Sequence, residues 1–299
     1  MTDRERQSIL EELTPPFDIH EPATIAVPLV FSSPHSGRTY PSALIEQSRL
    51  SPASLRKSED AFVDELMTPV TGLGAPLIAA RFPRVYLDVN REPYELDPEL
   101  FRDSVPTFAN TRSARVAGGL GTIARIVADS EEIYRRPLAI SAAFERIDRL
   151  YRPYHDALAA LVERARQRFG LAVLVDCHSM PSVNGGPAGS RPDFVIGDRF
   201  GTACDPLIAQ ALRRSLVGLG YEVAMNRPYA GGYITEHYGQ PGRGVHAIQI
   251  EINRALYMHE PSVTPAEGFA TIRRHLELSV ASLIAALPIL AAPRAAAAE

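Results

Sequence analysis

The stretch 29-LVFSSPHSGRTYP-41 runs as an apolar strand, breaks at two serines and a proline, and then sets His35 near a glycine. A lone histidine after a strand is more often structural than chemical, so its meaning depends on where the other strands end. Two of them end on matching groups. The run 171-LAVLVDCHSM-180 leads into Asp176 and His178, and 245-VHAIQIEIN-253 leads into Glu251. In open α/β sheets, ligands gather where loops leave the carboxyl ends of strands.

Working outward, apolar runs alternate with amphipathic ones. Strands are predicted at Ile25–Phe31, Pro76–Ala80, Arg84–Val89, Leu171–Asp176, Asp193–Gly197, Tyr221–Met225 and Val245–Ile252. Helices are predicted at Pro52–Val70, Ser141–Phe169, Pro206–Leu219 and Pro265–Leu287. Pro153 kinks the longest of them or divides it in two. Such alternation predicts an α/β sandwich around a mixed sheet. With no internal repeat and no Ser/Gly linker, residues 1–299 read as one catalytic domain. An N-terminal arm of a charged helix and a Pro-rich piece covers 1–23, and a frayed tail covers 289–299.

Bulk composition excludes several classes. The chain has 31 basic and 35 acidic residues, a net charge of -4, 45% hydrophobic and 22% charged residues. No basic block favours nucleic acid, and no apolar run reaches membrane-spanning length. Two cysteines, Cys177 and Cys204, support neither a disulfide framework nor a cysteine metal site. The charged start lacks the apolar core of a signal peptide. The expectation is a cytoplasmic protein with no nucleic-acid or membrane partner; an oligomer is left open.

The strand ends supply two imidazoles, His35 and His178. Zinc takes imidazole and carboxylate ligands, and a catalytic site needs about three of them plus an open position. A third ligand is sought in Glu59-Asp60. If 52–70 is a regular helix, Leu55, Phe62, Val63, Leu66, Met67 and Val70 form one stripe, with Glu59 inside it and Asp60 at its edge. Periodicity therefore prefers Glu59. Along 245–253, Glu251 shares a face with Gln249 and Asn253; a solvated edge-strand carboxylate is an equal reading. His246 stands among isoleucines as a core histidine. Arg81, Arg84 and Arg91 suit an acidic small molecule, or pairing with Asp88, Glu92 or Asp97. The loop 118-GGLGTIAR-125 lacks a dinucleotide fingerprint and reads as flexible. Ser36 and Ser179 lack a nucleophile-elbow context, and Cys177 reads as an inert core thiol.

Seven motifs in order, SPHSG, SEDAFVDEL, LDVNR, LVDCHS, GDRFG, NRPYAGGYITEHYG and GVHAIQIEINRALY, resemble the N-formylglutamate amidohydrolase family over about residues 24–287. That family is similar to zinc carboxypeptidases and aspartoacylase. The resemblance implies a three-layer α/β/α sandwich with a central mixed sheet. It implies one zinc ion per chain on His35, Asp60 and His178, choosing Asp60 over Glu59 against the periodicity. It implies Glu251 as general base and Asn90 and Arg91 as a grip on substrate, with Arg84 assisting. The expected partner is a small anionic N-acyl amino acid, N-formyl-L-glutamate above others. Its second carboxylate calls for another basic group, with Arg125 and Arg254 as candidates, and Asp176 is placed to orient His178. The relatives' His-x-x-Glu is absent, since HSGR follows His35.

Overall fold

The computed structural model describes residues 2–127, 131–182 and 192–290; the predicted tail 289–299 lies almost wholly outside them. Seven strands form one sheet: β1 (Phe17–His20), β2 (Leu29–Ser33), β3 (Leu77–Ala80), β4 (Ala172–Met180), β5 (Phe194–Gly197), β6 (Val223–Met225) and β7 (Val245–Asn253). Their order is β1-β3-β2-β4-β7-β5-β6. The four strands β3, β2, β4 and β7 are mutually parallel, while β1 and β5 pair antiparallel with β3 and β7. The sheet is mixed, as expected. From β2 the order runs to β3 on one side and to β4 on the other. Loops leaving β2 and β4 therefore diverge and open a crevice between them.

Side-chain alternation divides the sheet between two cores. Leu29, Phe31, Val173, Val175, Cys177, Ile248, Ile250 and Ile252 face one layer, built on α4 (Val63–Met67), α8 (Pro206–Gly218) and α10 (Phe269–Leu290). Val30, Leu174 and Ala247 face the other, built on α1 (Thr2–Glu12), α6 (Ile140–Arg146), α7 (Arg152–Phe169) and α9 (Tyr233–Tyr238). The parity that puts Leu174 in this second core puts Asp176 and His178 on the same face, and likewise Gln249 and Glu251 after Ala247. Polar residues begin where the strands rise above the apolar layer. That places the site. Among the described residues no helix is long and apolar enough to cross a membrane.

Several predicted elements are corrected. Residues 84–89 are not a strand: Tyr86 and Leu87 donate backbone hydrogen bonds to the Pro83 carbonyl, and Asp88 donates to Thr122. Phe82, Val85, Tyr86, Leu87 and Val89 all enter one core, so the run is a buried loop without the two-sided alternation of a strand. The helix predicted over 52–70 breaks into α3 (Pro52–Arg56), a turn, α4, and a 3₁₀ turn over Thr68–Leu73. The carbonyls of Lys57 and Glu59 accept from Arg254 instead of serving a helix ladder, and that of Asp60 accepts from both Ser36 Oγ and the Val63 N–H. Phe62 then takes a left-handed φ of 66° before α4. The predicted helix 141–169 is α6 and α7 joined by a π turn, Ile147–Tyr151. Its Arg152 N–H reaches back to Ile147, just before Pro153, which has no N–H to give.

The N-terminal arm is a working part of the fold. Strand β1 closes one edge of the sheet, and α1 packs on α6. Three short helices escaped prediction: α2 (Ser42–Gln47), α5 (Ala114–Ala117) and α9. The loop 118–125 is not loose. Thr122 and Ile123 are fully buried, and Leu120 and Thr122 carbonyls accept from Arg91 and Asp88.

Candidate active site

At the crevice, His35, Asp60 and His178 meet. His35 arrives on the loop after β2. Gly37 is required there, because a Cβ would lie 2.0 Å from the Phe82 carbonyl oxygen. His178 stands near the end of β4, and Asp60 in the broken helix turn, where its N–H donates to the His35 carbonyl. His35 Nδ1 lies 3.3 Å from Asp60 Oδ2 and 3.1 Å from His178 Nδ1, which is itself 3.0 Å from that same carboxylate oxygen. All three residues are buried.

The outer nitrogens decide what these inner atoms are. His35 Nε2 donates to Asp88 Oδ1 at 2.8 Å, and His178 Nε2 donates to Asp176 Oδ2 at 2.7 Å. With each imidazole's proton on Nε2, two bare Nδ1 lone pairs and a carboxylate oxygen converge on one another. Three acceptors without a hydrogen between them need a cation. Their separations approach the ~3.3 Å edge of a tetrahedron with ~2.05 Å metal–ligand bonds. The donor set therefore fits a divalent metal such as zinc with one position left over.

Surrounding charges hold this arrangement. Burial alone would raise the Asp60 carboxyl, but its two histidine neighbours outweigh it and hold it well below the usual range. Asp88 is likewise held low against burial by Arg91 and Arg84. Arg254 donates to Ser179 Oγ (3.0 Å) and Asp60 Oδ1 (3.3 Å), and Ser179 Oγ donates to Asp60 Oδ1 (3.0 Å). Oδ1 is thereby occupied and Oδ2 is turned to the histidines.

Glu251 stands on β7 opposite His178 in register. Strand β7 lies between β4 and β5, so the solvated edge-strand reading fails. Glu251 Oε1 accepts from Gln249 Nε2 at 2.7 Å, and Gln249 Oε1 accepts from the Gly232 N–H at 2.7 Å. Burial, reinforced by Asp60 and opposed by His178, pushes the Glu251 carboxyl up to about 7. Gly232 must be glycine: a Cβ there would fall 2.4 Å from Asn90 Nδ2.

The other expected groups fare unevenly. Glu59, preferred by periodicity, points away and binds Tyr40 and Arg56. Asn90 donates to Asp176 Oδ2 and accepts from the Ile234 N–H, so its amide braces the site. Arg91 is committed to the Leu120 and Asn90 carbonyls, and burial pushes it down to about 10. Arg84 donates Nε to Asp88 Oδ2, and its terminal nitrogens have no partner among the described residues. Arg125 pairs with Asp97 and Glu99 outside the cavity, and Arg254 is spent on Asp60. His246 is only half-buried, accepting the Asp205 N–H. Asp88, Gln249, Ser179 and Arg115 are the site residues that sequence reasoning missed. Strand parity had already paired Gln249 with Glu251, and Asp88 lay two residues from Asn90.

His35, Asp60, His178, Glu251, Arg84 and Arg115 line a cavity of about 710 Å³, bounded also by Lys57, Gly121, Tyr229 and Gly231. It is large enough for a small ligand.

Comparison with known proteins agrees with this geometry. The N-formylglutamate amidohydrolase family matches residues 27–258, a span holding every cavity residue named above. The N-formylglutamate deformylases of Pseudomonas putida and Pseudomonas aeruginosa are each 31% identical to the chain, covering 78% of it and 83% of their own length. The crystal structure of N-formylglutamate amidohydrolase from Ralstonia eutropha JMP134 superposes with a TM-score of 0.85 at 39% identity, over 92% of this chain and 99% of that one. A gene product of Agrobacterium tumefaciens, 20% identical with a TM-score of 0.57, shares the fold. The chain belongs to the N-formylglutamate amidohydrolase family, hydrolases of a linear amide bond.

Proposed function

We propose that this protein is a zinc-dependent deformylase that converts N-formyl-L-glutamate to formate and L-glutamate. The observation that carries the metal is the convergence of His35 Nδ1, His178 Nδ1 and Asp60 Oδ2 within 3.0–3.3 Å, with both outer nitrogens already bound to carboxylates. Zinc held by these three would polarise the formyl carbonyl and acidify an attacking water.

The chain's own residues carry the proton. Glu251, held by Gln249 beside His178, takes one from the water as its oxygen adds to the formyl carbon. It delivers that proton to the amide nitrogen as the C–N bond breaks, giving formate and a free amine. A carboxyl raised by burial suits both halves of this exchange. Arg84, whose terminal nitrogens have no partner among the described residues, would donate to the developing oxyanion or to the α-carboxylate, with Arg91 and Asn90 completing the grip on substrate.

Formate release is the test. Metal-replete protein should release formate from N-formyl-L-glutamate and leave N-acetyl-L-glutamate and peptide ends largely untouched. Turnover of peptides or N-acetyl amino acids in preference would refute the formyl assignment. Glu251→Gln should bind metal normally yet lose about 10²–10⁴-fold in kcat.

A further inference from the structure

Among the cavity's cations, Arg115 stands apart. Arg254 is bound to Asp60, Arg84 to Asp88, Arg91 to two carbonyls, and Lys57 to Glu131. Arg115, half-buried on α5, lines the same cavity with no hydrogen-bond or ion-pair partner among the described residues. The helix carrying it is fixed: Ser113 caps it by accepting the Val116 N–H, and Ser113 Oγ donates to the buried Glu95. A guanidinium that lines a cavity with no counter-ion among the described residues is open to receive one.

The cavity's charge says what that ion is. Its described lining carries five cationic side chains, Lys57, Arg84, Arg91, Arg115 and Arg254, against three carboxylates, Asp60, Asp88 and Glu251. All three carboxylates are already engaged with the histidines, arginines or Gln249. The excess positive charge awaits an anionic ligand. The cations also differ in how they join the metal ligands: Arg84 is bonded to Asp88, which holds His35, whereas Arg115 lines the cavity from α5 with no bond to any of these groups among the described residues. A carboxylate on the carbon bearing the scissile amide belongs beside Arg84. A carboxylate further along a side chain belongs at Arg115.

We propose that Arg115 is the specificity-determining receptor for the side-chain carboxylate of an N-acyl acidic amino acid. This rests on the deformylase reading and adds to it the group that separates glutamate from glutamine derivatives. Arginine offers two parallel N–H donors to a carboxylate, and a neutral amide cannot match that charge.

The test compares N-formyl-L-glutamate with N-formyl-L-glutamine on wild type and Arg115→Met. The substitution should cut kcat/KM for the glutamate derivative by about ten- to a hundred-fold, the range for one charge-assisted hydrogen bond. It should cost the glutamine derivative clearly less, a few-fold at most, and leave the melting temperature unchanged, since Arg115 has no bond partner among the described residues. Equal losses on both compounds, or none on either, would overturn the receptor. A wild-type protein that releases no formate would instead refute the deformylase reading. Calorimetric binding of the two compounds then still decides Arg115: a preference for the glutamate derivative that is the same in wild type and Arg115→Met overturns it.

Discussion

Substituting Glu5 by glutamine should destabilise the protein even though Glu5 lies in the N-terminal arm, far in sequence from the site. Arg146 is fully buried and Glu5 is 2% exposed. Arg146 Nε donates to Glu5 Oε1 at 2.6 Å, and Nη1 donates to Tyr86 O and Tyr134 Oη. Its Nη2 has no acceptor among the described residues, and the guanidinium sits 3.9 Å above the Tyr86 ring. Glutamine keeps the shape but strands the cation, and breaking a buried pair this way costs ~3–5 kcal/mol. At ~2.1 cal/mol/K per residue, a chain of 299 residues unfolds with an entropy of about 0.6 kcal/mol/K. The melting temperature should fall by about 5–8 °C. Burial opposes ionisation of Glu5, but Arg146 outweighs it and holds the carboxyl below its ordinary value of 4.5. A depressed carboxyl contributes stability above that value and loses it as pH falls through the folded-state value. The gap between wild type and Glu5→Gln should thus be full at neutral pH and shrink on acidification below 4.5. Scanning calorimetry across pH reads both effects. A gap under about 2 °C at neutral pH, or one that widens in acid, would refute the reasoning. Adding Arg146→Met should recover much of the loss, since the stranded charge is then gone.

Other outcomes follow from the site. Asp88→Asn removes the carboxylate that fixes the His35 tautomer, and metal affinity in chelator competition should drop by about 10–100-fold; an unchanged affinity would show that His35 needs no such partner. Gly232→Ala should cost ~1–3 kcal/mol in thermal unfolding. It should also lower kcat, because the added methyl meets the Asn90 amide and disturbs the loop that holds Gln249. Full stability with full activity would contradict the close approach of Gly232 to Asn90.

How much of this was legible in the sequence follows physical lines. Strand cores were, because Leu29, Phe31, Val173 and Val175 alternate with residues of the opposite face. His35, His178 and Glu251 were visible because they end such strands. The choice of Asp60 over Glu59 was not open to periodicity, since the helix it assumed is broken by Arg254, nearly two hundred residues away, capturing its carbonyls. Residues 84–89 misled because a buried apolar loop and a buried strand have the same composition. Strand β1 was hidden among prolines, and only its pairing with β3 shows it. Asp88 was legible only as a partner for the arginines, and Arg115 carries no local signal: one is defined by the imidazole it faces, the other by the cavity it lines.

The central claim is that a metal held by His35, Asp60 and His178 runs the hydrolysis of a formyl amide. Titrating zinc into chelator-treated protein while following formate release from N-formyl-L-glutamate tests it most directly. Activity should rise from near zero and break sharply at about one equivalent per chain, and His35→Ala should abolish the break. Full activity in the metal-free chain, or a zinc titration that His35→Ala leaves unaltered, would contradict it.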